Sequence, residues 1–221
     1  MKLKTIIVSV EYLDFFAFSY NVNKHLIEDI IVITSNDDYL TQNFCKQHNI
    51  SFHITDAFYS ISSRIGNEDA YFNKAAAIND YLYSLPSLDE LEWILFLDSD
   101  ILLNRDIITR IFSNEEQISP MNLYGAKRNT YKTIIDFQNN SYDKHDECDY
   151  IGFFQLFHKN IILDDYNNRQ SILCENIDAS QSDLEFRDRY FSITNRHCFG
   201  SVDHLGESGI NWRGRVCDLW E

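Results

Sequence analysis

Two aspartates separated by one residue stand at the end of a strongly apolar run. Asp98 and Asp100 follow residues 93–97, which read Trp-Ile-Leu-Phe-Leu. On an extended or turning backbone, both carboxylates of such a pair can approach one divalent cation, and hard oxygen ligands suit Mg²⁺ or Mn²⁺. Short acidic pairs at strand ends are also common as solvated groups. The apolar residues before the pair, and those at 101–103 after it, favour the metal-binding interpretation.

The elements around this pair predict where it lies. An apolar run without alternation, such as 93–97, is typical of a strand covered on both faces. Ahead of it, apolar runs alternate with helix-like stretches. The predicted strands are 5–10, 29–34, 51–54 and 93–97, and the predicted helices are a stretch reaching residue 28, then 38–48 and 71–85. This order predicts an α/β fold with a mostly parallel central sheet flanked by helices. Ligands of such sheets gather at the carboxyl ends of the strands, where Asp98 and Asp100 are expected.

Lys74 lies near the start of the predicted helix 71–85, which Pro86 ends. A positive side chain and the free N–H groups of a helix N-terminus both favour an anion such as a diphosphate. Without the acidic pair nearby, a solvated lysine would be the simpler interpretation. Arg64, in a stretch containing serines and a glycine, is a second candidate for binding phosphates.

The composition excludes some classes of protein. The chain has 221 residues, a size that suits one domain, and its net charge of −15 disfavours nucleic acid as the main partner. Local basic patches at 127–128 and 213–215 leave that possibility open. Five cysteines without a C-x-x-C pair indicate idle thiols in a reduced cytoplasm. No apolar run is long enough for stable membrane insertion, and the N-terminal stretch predicts a first strand rather than a signal peptide. The oligomeric state stays open.

Several segments together resemble GT-A glycosyltransferases, especially bacterial and phage proteins of the family-2-like and galactosyltransferase-like groups. Residues 93–103 resemble the metal-binding segment of these enzymes. Residues 32–38 resemble the second-strand exit that holds the nucleotide base and ribose, and 72–79 resemble the helix start that faces the sugar nucleotide. The resemblance covers most of the chain. It implies a single GT-A domain, with a nucleotide-sugar-binding half at 1–103 and an acceptor-binding half at 104–221.

The resemblance also implies ligands and the residues that hold them. The donor would be a nucleotide sugar, with a UDP-sugar favoured, bound together with Mn²⁺ or Mg²⁺. His204, in a His-Leu-Gly segment similar to the C-terminal element of the family, would join Asp98 and Asp100 as a metal ligand, and Mn²⁺ accepts one imidazole beside oxygens. The donor-binding positions implied are Thr34, Ser35, Asp37, Arg64, Lys74, Asn79, Asp98, Ser99, Gln155, Asn211, Trp212 and Arg215.

A catalytic base is implied in the second half of the chain. Residues 182–189 resemble a segment of inverting enzymes in which two acids precede x-D/E-F-x-x-R, although Ser182 stands here in place of the first acid. An inverting displacement needs a carboxylate that takes the proton of the acceptor hydroxyl, and Asp183 is the candidate. Ser182 would cap the helix, in which case Asp183 could instead be an acid that complements the helix dipole.

Residues 150–157 resemble a loop that closes over the donor sugar and the acceptor. Aromatic rings stack on sugar faces, and Gln155 could hydrogen-bond sugar hydroxyls. A buried core strand accounts equally well for the phenylalanines of this stretch, so that only Gly152 and Gln155 point to function.

The sequence and this resemblance together predict a cytoplasmic, metal-dependent glycosyltransferase that acts on an acceptor hydroxyl, with inversion if Asp183 is the base. The identity of the sugar and the choice between inversion and retention stay open. The acceptor could belong to a glycan, a small molecule, a protein or a modified DNA base. One alternative is a haloacid-dehalogenase-type phosphatase, in which the first aspartate is a nucleophile. That family has a small residue or threonine shortly after the pair, whereas 101–103 read Ile-Leu-Leu. Another alternative is a non-catalytic nucleotide-sugar-binding protein, which the serine at 182 leaves open.

Overall fold

The computed structural model describes residues 2–59, 73–113, 118–148, 150, 153–175 and 179–206. Its strands are β1 Leu3–Val8, β2 Ile30–Thr34, β3 Ser51–Ile54, β4 Trp93–Asp98, β5 Ile101–Leu102, β6 Leu123–Tyr131, β7 Asp143–His145, β8 Phe154–His158 and β9 Arg196–Leu205. Its helices are α1 Leu13–Asn23, α2 Tyr39–His48, α3 Lys74–Ser84, α4 Arg105–Ser113, α5 Ile134–Gln138, α6 Leu163–Asn167 and α7 Ala179–Tyr190. None of these helices has the length and apolar character that crossing a bilayer requires.

The strands form one mixed sheet in the order β3-β2-β1-β4-β8-β6-β9-β5, with β7 paired to β6. The first four strands of this order are parallel to one another. Strand β8 runs antiparallel to both β4 and β6, whereas β6 and β9 are parallel. The predicted α/β class is confirmed. The parallel strands β1, β2 and β4 end at one edge of the sheet, as the β-α order of the sequence requires.

Strand β4 lies at the centre of the core and is covered on both faces, as its apolar sequence predicts. Leu95 and Leu97 pack into the cluster on one face, which includes Phe16 of α1. Ile94 and Phe96 pack into the cluster on the other face with residues of α3 and α7. The backbone of Asp98 is therefore held between two packed layers, because the residues before it are anchored on both sides.

Helix α3 begins and ends where its sequence indicates. Asn73 is the N-cap, and its side-chain oxygen accepts a hydrogen bond from the Ala76 N–H group. At the other end Leu85 has an extended backbone, which is the conformation favoured before Pro86. The predicted helix was longer, and its first two residues, 71 and 72, lie outside the described ranges. The N-cap fixes Lys74 as the first residue of α3.

The second half of the chain departs most from the predictions. It contributes two long strands, β6 and β9, which extend the same sheet and which no strand predicted from the sequence covers. Helix α7 begins at Ala179, so Ser182 lies inside the helix and the prediction that it caps the helix was wrong. The stretch 150–157 includes most of the buried strand β8, which agrees with the interpretation of its phenylalanines as part of a core strand.

Candidate functional site

Strand β4 ends at Asp98, and the chain turns through Asp100 into the short strand β5. The Asp98 N–H group donates to the Phe153 carbonyl oxygen, which extends the β4–β8 pairing to the first aspartate. The Asp98 side chain is 38% exposed and that of Asp100 is 11% exposed. Ser99, between them, is buried, and its carbonyl oxygen accepts a 2.5 Å hydrogen bond from the Ser19 hydroxyl. The two carboxylates thus stand on a fixed backbone at the carboxyl edge of the sheet.

Strand β9 brings His204 to this edge from near the other end of the described chain. It pairs antiparallel with β5, so that His204 lies opposite Ile101, and the Leu205 N–H group donates to the Asp100 carbonyl oxygen at 3.0 Å. As a result, His204 Nε2 lies 3.7 Å from Asp100 Oδ2. The predicted association of this imidazole with the acidic pair is therefore present in the structure.

Burial sets the charge states of this pair of side chains. Burial, together with the charge of Asp98, raises the pKa of Asp100 to about 8. Burial, together with the nearby Arg128, lowers the pKa of His204 to about 4, so the imidazole is neutral at pH 7. Asp100 Oδ1 and His204 Nδ1 are buried and have no hydrogen-bond partner in the described part of the chain. Asp100 therefore holds its proton at pH 7 in the absence of a cation. A neutral imidazole and the Asp100 carboxylate, formed when a cation displaces that proton, would be a donor set that suits Mn²⁺.

Asp98, however, is turned toward a lysine. In the ranges that the structure describes, no three His, Cys, Asp or Glu side chains converge as a ready-made metal cluster. Lys74 Nζ instead donates to Asp98 Oδ1 at 2.7 Å and to Asp183 Oδ2 at 3.4 Å. Burial alone would lower the pKa of Lys74, but the charges of Asp183 and Asp98 outweigh it and raise that pKa. Lys74 is therefore an ammonium held between two carboxylates, rather than at an open helix end as predicted.

The Lys74 ion pairs give a prediction about stability. Lys74→Met should lower the free energy of unfolding by about 3 kcal/mol, because removing one partner leaves Asp183 buried without its countercharge. The Lys74 and Asp183 side chains are 8% and 7% exposed, so water compensates little. Chemical denaturation monitored by tryptophan fluorescence measures the change. Lys46→Met, on the exposed surface of α2, is the matched control and should change the stability by less than about 0.5 kcal/mol.

Asp183 lies on α7, and its backbone is contacted by a side chain of β8. Gln155 is fully buried in β8, and its Nε2 donates to the carbonyl oxygens of Tyr150 and Asp183, at 2.9 and 3.3 Å. The amide nitrogen is occupied inside the protein, whereas Gln155 Oε1 is buried and has no hydrogen-bond partner among the described residues, so binding of sugar hydroxyls by Gln155 stays a prediction. Its contacts fix the backbone of α7 at Asp183. The sequence alone does not reveal this role, because the partners lie on different elements.

The exit of β2 carries the residues predicted to hold the nucleotide. Thr34 and Ser35 are buried at the end of the strand, and Asp37 is exposed beyond it. The Thr34 hydroxyl donates to Asp38 Oδ2 at 3.3 Å. Asp38 also caps α2, since its Oδ1 accepts from the Thr41 N–H group. Of the four, only Asp37 presents its side chain to solvent, and Asp38 is a structural residue that organises this turn.

Asn79 contacts protein rather than an open cleft. Its Nδ2 donates to the Leu173 carbonyl oxygen at 2.9 Å and to Glu175 Oε1 at 2.7 Å, and its Oδ1 accepts from the Leu173 N–H group. These contacts satisfy both ends of the amide, so the donor-binding role of Asn79, which stays a prediction, would require a ligand to replace one of these partners. The predicted positions Arg64, Asn211, Trp212 and Arg215 lie outside the described residues.

Two further side chains at this edge were missed by the sequence predictions. Tyr12, just after β1, donates its hydroxyl hydrogen to Asp100 Oδ2 at 3.4 Å, and its ring stacks on Phe15. Arg128 of β6 lies 5.2 Å from the centre of the Phe153 ring and close enough to His204 to affect its pKa. The position of Tyr12 directly after the first predicted strand was a usable signal. For Arg128, no local pattern indicated its proximity to His204.

Solved glycosyltransferases share this fold. The mannosyltransferase PcManGT from Pyrobaculum calidifontis, in complex with GDP-Man and Mn²⁺, superposes with a TM-score of 0.53 at 14% identity, over 94% of this chain and 58% of its own. Glucosyl-3-phosphoglycerate synthase from Mycobacterium tuberculosis, in complex with Mn²⁺, UDP-Glc and phosphoglyceric acid, superposes with a TM-score of 0.54 at 8% identity. The superposition covers 93% of this chain and 72% of the synthase. A mycobacterial protein superposes with a TM-score of 0.55 at 10% identity, over 96% of this chain and 69% of its own.

The chain therefore has the α/β fold of GT-A glycosyltransferases, and the resemblance inferred from the sequence is confirmed at the level of the fold. The chain covers less than two thirds of the length of the mannosyltransferase. No protein-family model and no curated protein matches the sequence. At these identities the comparison establishes the architecture, and the chemistry must be argued from the side chains of this chain.

Proposed function

We propose that this protein is a metal-dependent glycosyltransferase that moves a sugar from a nucleotide-sugar donor to an acceptor hydroxyl, with inversion at the anomeric carbon. The observation that carries the proposal is the convergence of five side chains at one edge of the sheet. Asp98 and Asp100 come from the end of β4, His204 from β9, Lys74 from the start of α3 and Asp183 from α7.

The proposed cation is divalent, Mn²⁺ or Mg²⁺. Asp98, Asp100 and His204 would hold it, and the chemistry it supplies there is a positive charge beside the departing diphosphate. Support comes from the two buried acceptor atoms without partners, Asp100 Oδ1 and His204 Nδ1. Tyr12 orients Asp100 through its hydroxyl. The Mn²⁺ complexes of the mannosyltransferase and the phosphoglycerate synthase are consistent with this assignment.

Asp183 is the candidate base. Its carboxylate would take the proton from the acceptor hydroxyl as that oxygen attacks the anomeric carbon. Lys74 contacts one oxygen of Asp183 and keeps the carboxylate oriented, and the same ammonium neutralises part of the charge of Asp98. Gln155 holds the backbone of Asp183 from the β8 side. The base and the metal-binding carboxylates are thereby fixed relative to each other through one lysine.

A nucleotide sugar with metal should stabilise the folded protein. A donor at about 100 times its dissociation constant adds roughly 2.7 kcal/mol, which corresponds to a rise in melting temperature of about 5 to 10 °C for a chain of this size. Thermal melting with UDP-sugars and GDP-sugars, each with and without Mn²⁺, measures this. The rise should require both components, and Mn²⁺ alone or the free sugar are the controls. If no combination of nucleotide sugar and metal changes the melting temperature, the proposal is wrong.

The reaction products distinguish the proposed glycosyltransferase from two alternative functions. The GT-A fold gives no support to a haloacid-dehalogenase-type phosphatase, which would release inorganic phosphate. A non-catalytic binding protein would show the thermal shift but would neither transfer nor hydrolyse the sugar. Mass spectrometry of the nucleotide and sugar products, after incubation with a donor that gives the shift and a panel of acceptors, distinguishes the three.

A further inference from the structure

Two cysteines that are distant in the sequence lie close together in the fold. Cys198 of β9 pairs in register with Gly125 of β6. Cys148 Sγ would lie 3.1 Å from a Cβ atom built on Gly125, so it sits directly over that strand. Cys198 lies close enough to Cys148 to contribute to the raised pKa of the Cys148 thiol, and both cysteines are free. Since Gly125 has no side chain, the strand leaves room for Cys148 and for Tyr150, whose Cδ1 atom would lie 2.6 Å from the same Cβ position.

The two thiols differ in access to solvent. Cys198 is exposed, whereas Cys148 is partly buried. Burial, and then contact with Cys198, raises the pKa of Cys148, so this thiol stays protonated at neutral pH. An oxidant arriving from solvent therefore meets Cys198 first, and Cys148 is positioned behind it to complete a disulfide.

We propose that Cys148 and Cys198 form a redox-active pair that a hydroperoxide converts to a disulfide. The Cys198 sulfur attacks one peroxide oxygen, the O–O bond breaks, and the products are a sulfenic acid on Cys198 and an alcohol, or water from hydrogen peroxide. The Cys148 sulfur then attacks the sulfenic sulfur, the S–OH bond breaks, and the hydroxyl leaves as water with the Cys148 proton. The two sulfurs together lose two electrons, and the peroxide gains them.

The pair is connected to Asp183 through two residues. Cys148 and Tyr150 both lie over Gly125, and Tyr150 partly offsets the rise in the pKa of the Cys148 thiol. The Tyr150 carbonyl oxygen accepts from Gln155 Nε2, and the same nitrogen donates to the Asp183 carbonyl oxygen. A disulfide removes the Cys148 S–H group and draws its sulfur toward β9, which changes the contacts that hold Tyr150. This effect of the disulfide on Asp183 rests on the proposed function, because it assumes that Asp183 is the base and that oxidation changes its position.

Peptide mapping tests the pair independently of any activity. The full chain is treated with hydrogen peroxide, remaining thiols are blocked, and the digest is analysed by mass spectrometry without reduction. We expect the protein to lose two of its five thiols and to yield one dominant linked peptide pair containing residues 148 and 198, reversed by dithiothreitol. Cys148→Ser should leave a sulfenic acid on Cys198 that dimedone traps. Cys174→Ser is the matched control and should cross-link as the wild type does.

Some outcomes would overturn the proposal. They are a dominant cross-link to another cysteine, a link between two chains, or wild-type Cys198 sulfenic acid that accumulates without cross-linking. For the connection to Asp183, oxidation should lower the transfer rate on the order of tenfold, since small displacements of a base are costly. A cross-linked protein with an unchanged transfer rate would refute that connection but not the pair. Absence of transfer in the reduced protein would instead count against the proposed function.

Discussion

Asp100→Asn should lower the rate of sugar transfer by about 10²- to 10³-fold, the cost typical of removing one electrostatic contact to a developing charge. The asparagine keeps the shape of the side chain and one oxygen, but it removes the negative charge with which Asp100 would hold a cation. The decrease should appear in single-turnover transfer assays with Mn²⁺ and saturating donor. The donor-induced thermal shift should also lose its dependence on Mn²⁺.

The same substitution should leave the metal-free protein at least as stable as the wild type. Burial raises the pKa of Asp100 to about 8, so the folded protein holds this proton more tightly than the unfolded chain. The free energy of unfolding therefore falls as the pH rises from about 4 to 8, and a neutral asparagine removes that contribution. Denaturation in EDTA at pH 6 and pH 8 measures the difference. A large loss of stability in Asp100→Asn would contradict this account.

Asp106→Asn is the matched control for Asp100. Asp106 is an exposed carboxylate in the first turn of α4, a few residues along the chain. Its replacement removes the same charge without touching the site, so transfer should stay within about twofold of the wild type. If both substitutions lowered transfer equally, the effect would come from the overall charge, and the metal-binding role of Asp100 would be wrong.

Much of the fold follows from local patterns in the sequence. The alternation of apolar runs and helix-like stretches predicts the β-α order, and the apolar run before Asp98 predicts a central strand buried on both faces. Because parallel strands end at the same edge, the position of the two aspartates follows from that pattern alone. The placement of His204 came from resemblance, and the structure supplies the reason for it. Strand β9 returns antiparallel to β5 directly beside Asp100.

Lys74, Gln155 and Asn79 make contacts between distant elements that the sequence does not show. Lys74 was predicted to lie at an open helix end. Its ion pair with Asp183, which joins α3 to α7, could not be predicted from the local sequence. Gln155 and Asn79 looked available for a ligand, but their amides hold backbone groups of other segments. Ser182 has the residue type of a cap, yet the helix begins earlier, at Ala179. Residue type and spacing do not show whether a polar side chain is already satisfied by the protein itself.

Asp183→Asn should lower transfer by about 10²- to 10⁴-fold while leaving donor binding unchanged. The asparagine cannot take the proton of the acceptor hydroxyl, but Asp98 still contacts Lys74 at 2.7 Å, so the lysine keeps a carboxylate partner. Donor binding should survive because Asp98, Asp100 and His204 are intact. Single-turnover transfer assays measure the loss, and the thermal shift with nucleotide sugar and Mn²⁺ confirms that the donor site is retained.

Glu185→Gln provides the control for Asp183, since Glu185 is an exposed carboxylate two residues further along α7. It should transfer at nearly the wild-type rate, because an exposed acid on the outside of the helix contacts neither Lys74 nor Gln155. The anomeric configuration of the wild-type product, read by NMR, is the second test. A base that deprotonates the acceptor for a single displacement requires inversion, so a product with the configuration of the donor would contradict the role of Asp183. Undiminished transfer by Asp183→Asn would contradict it as well, and the proton would then have to leave through another group at this edge of the sheet.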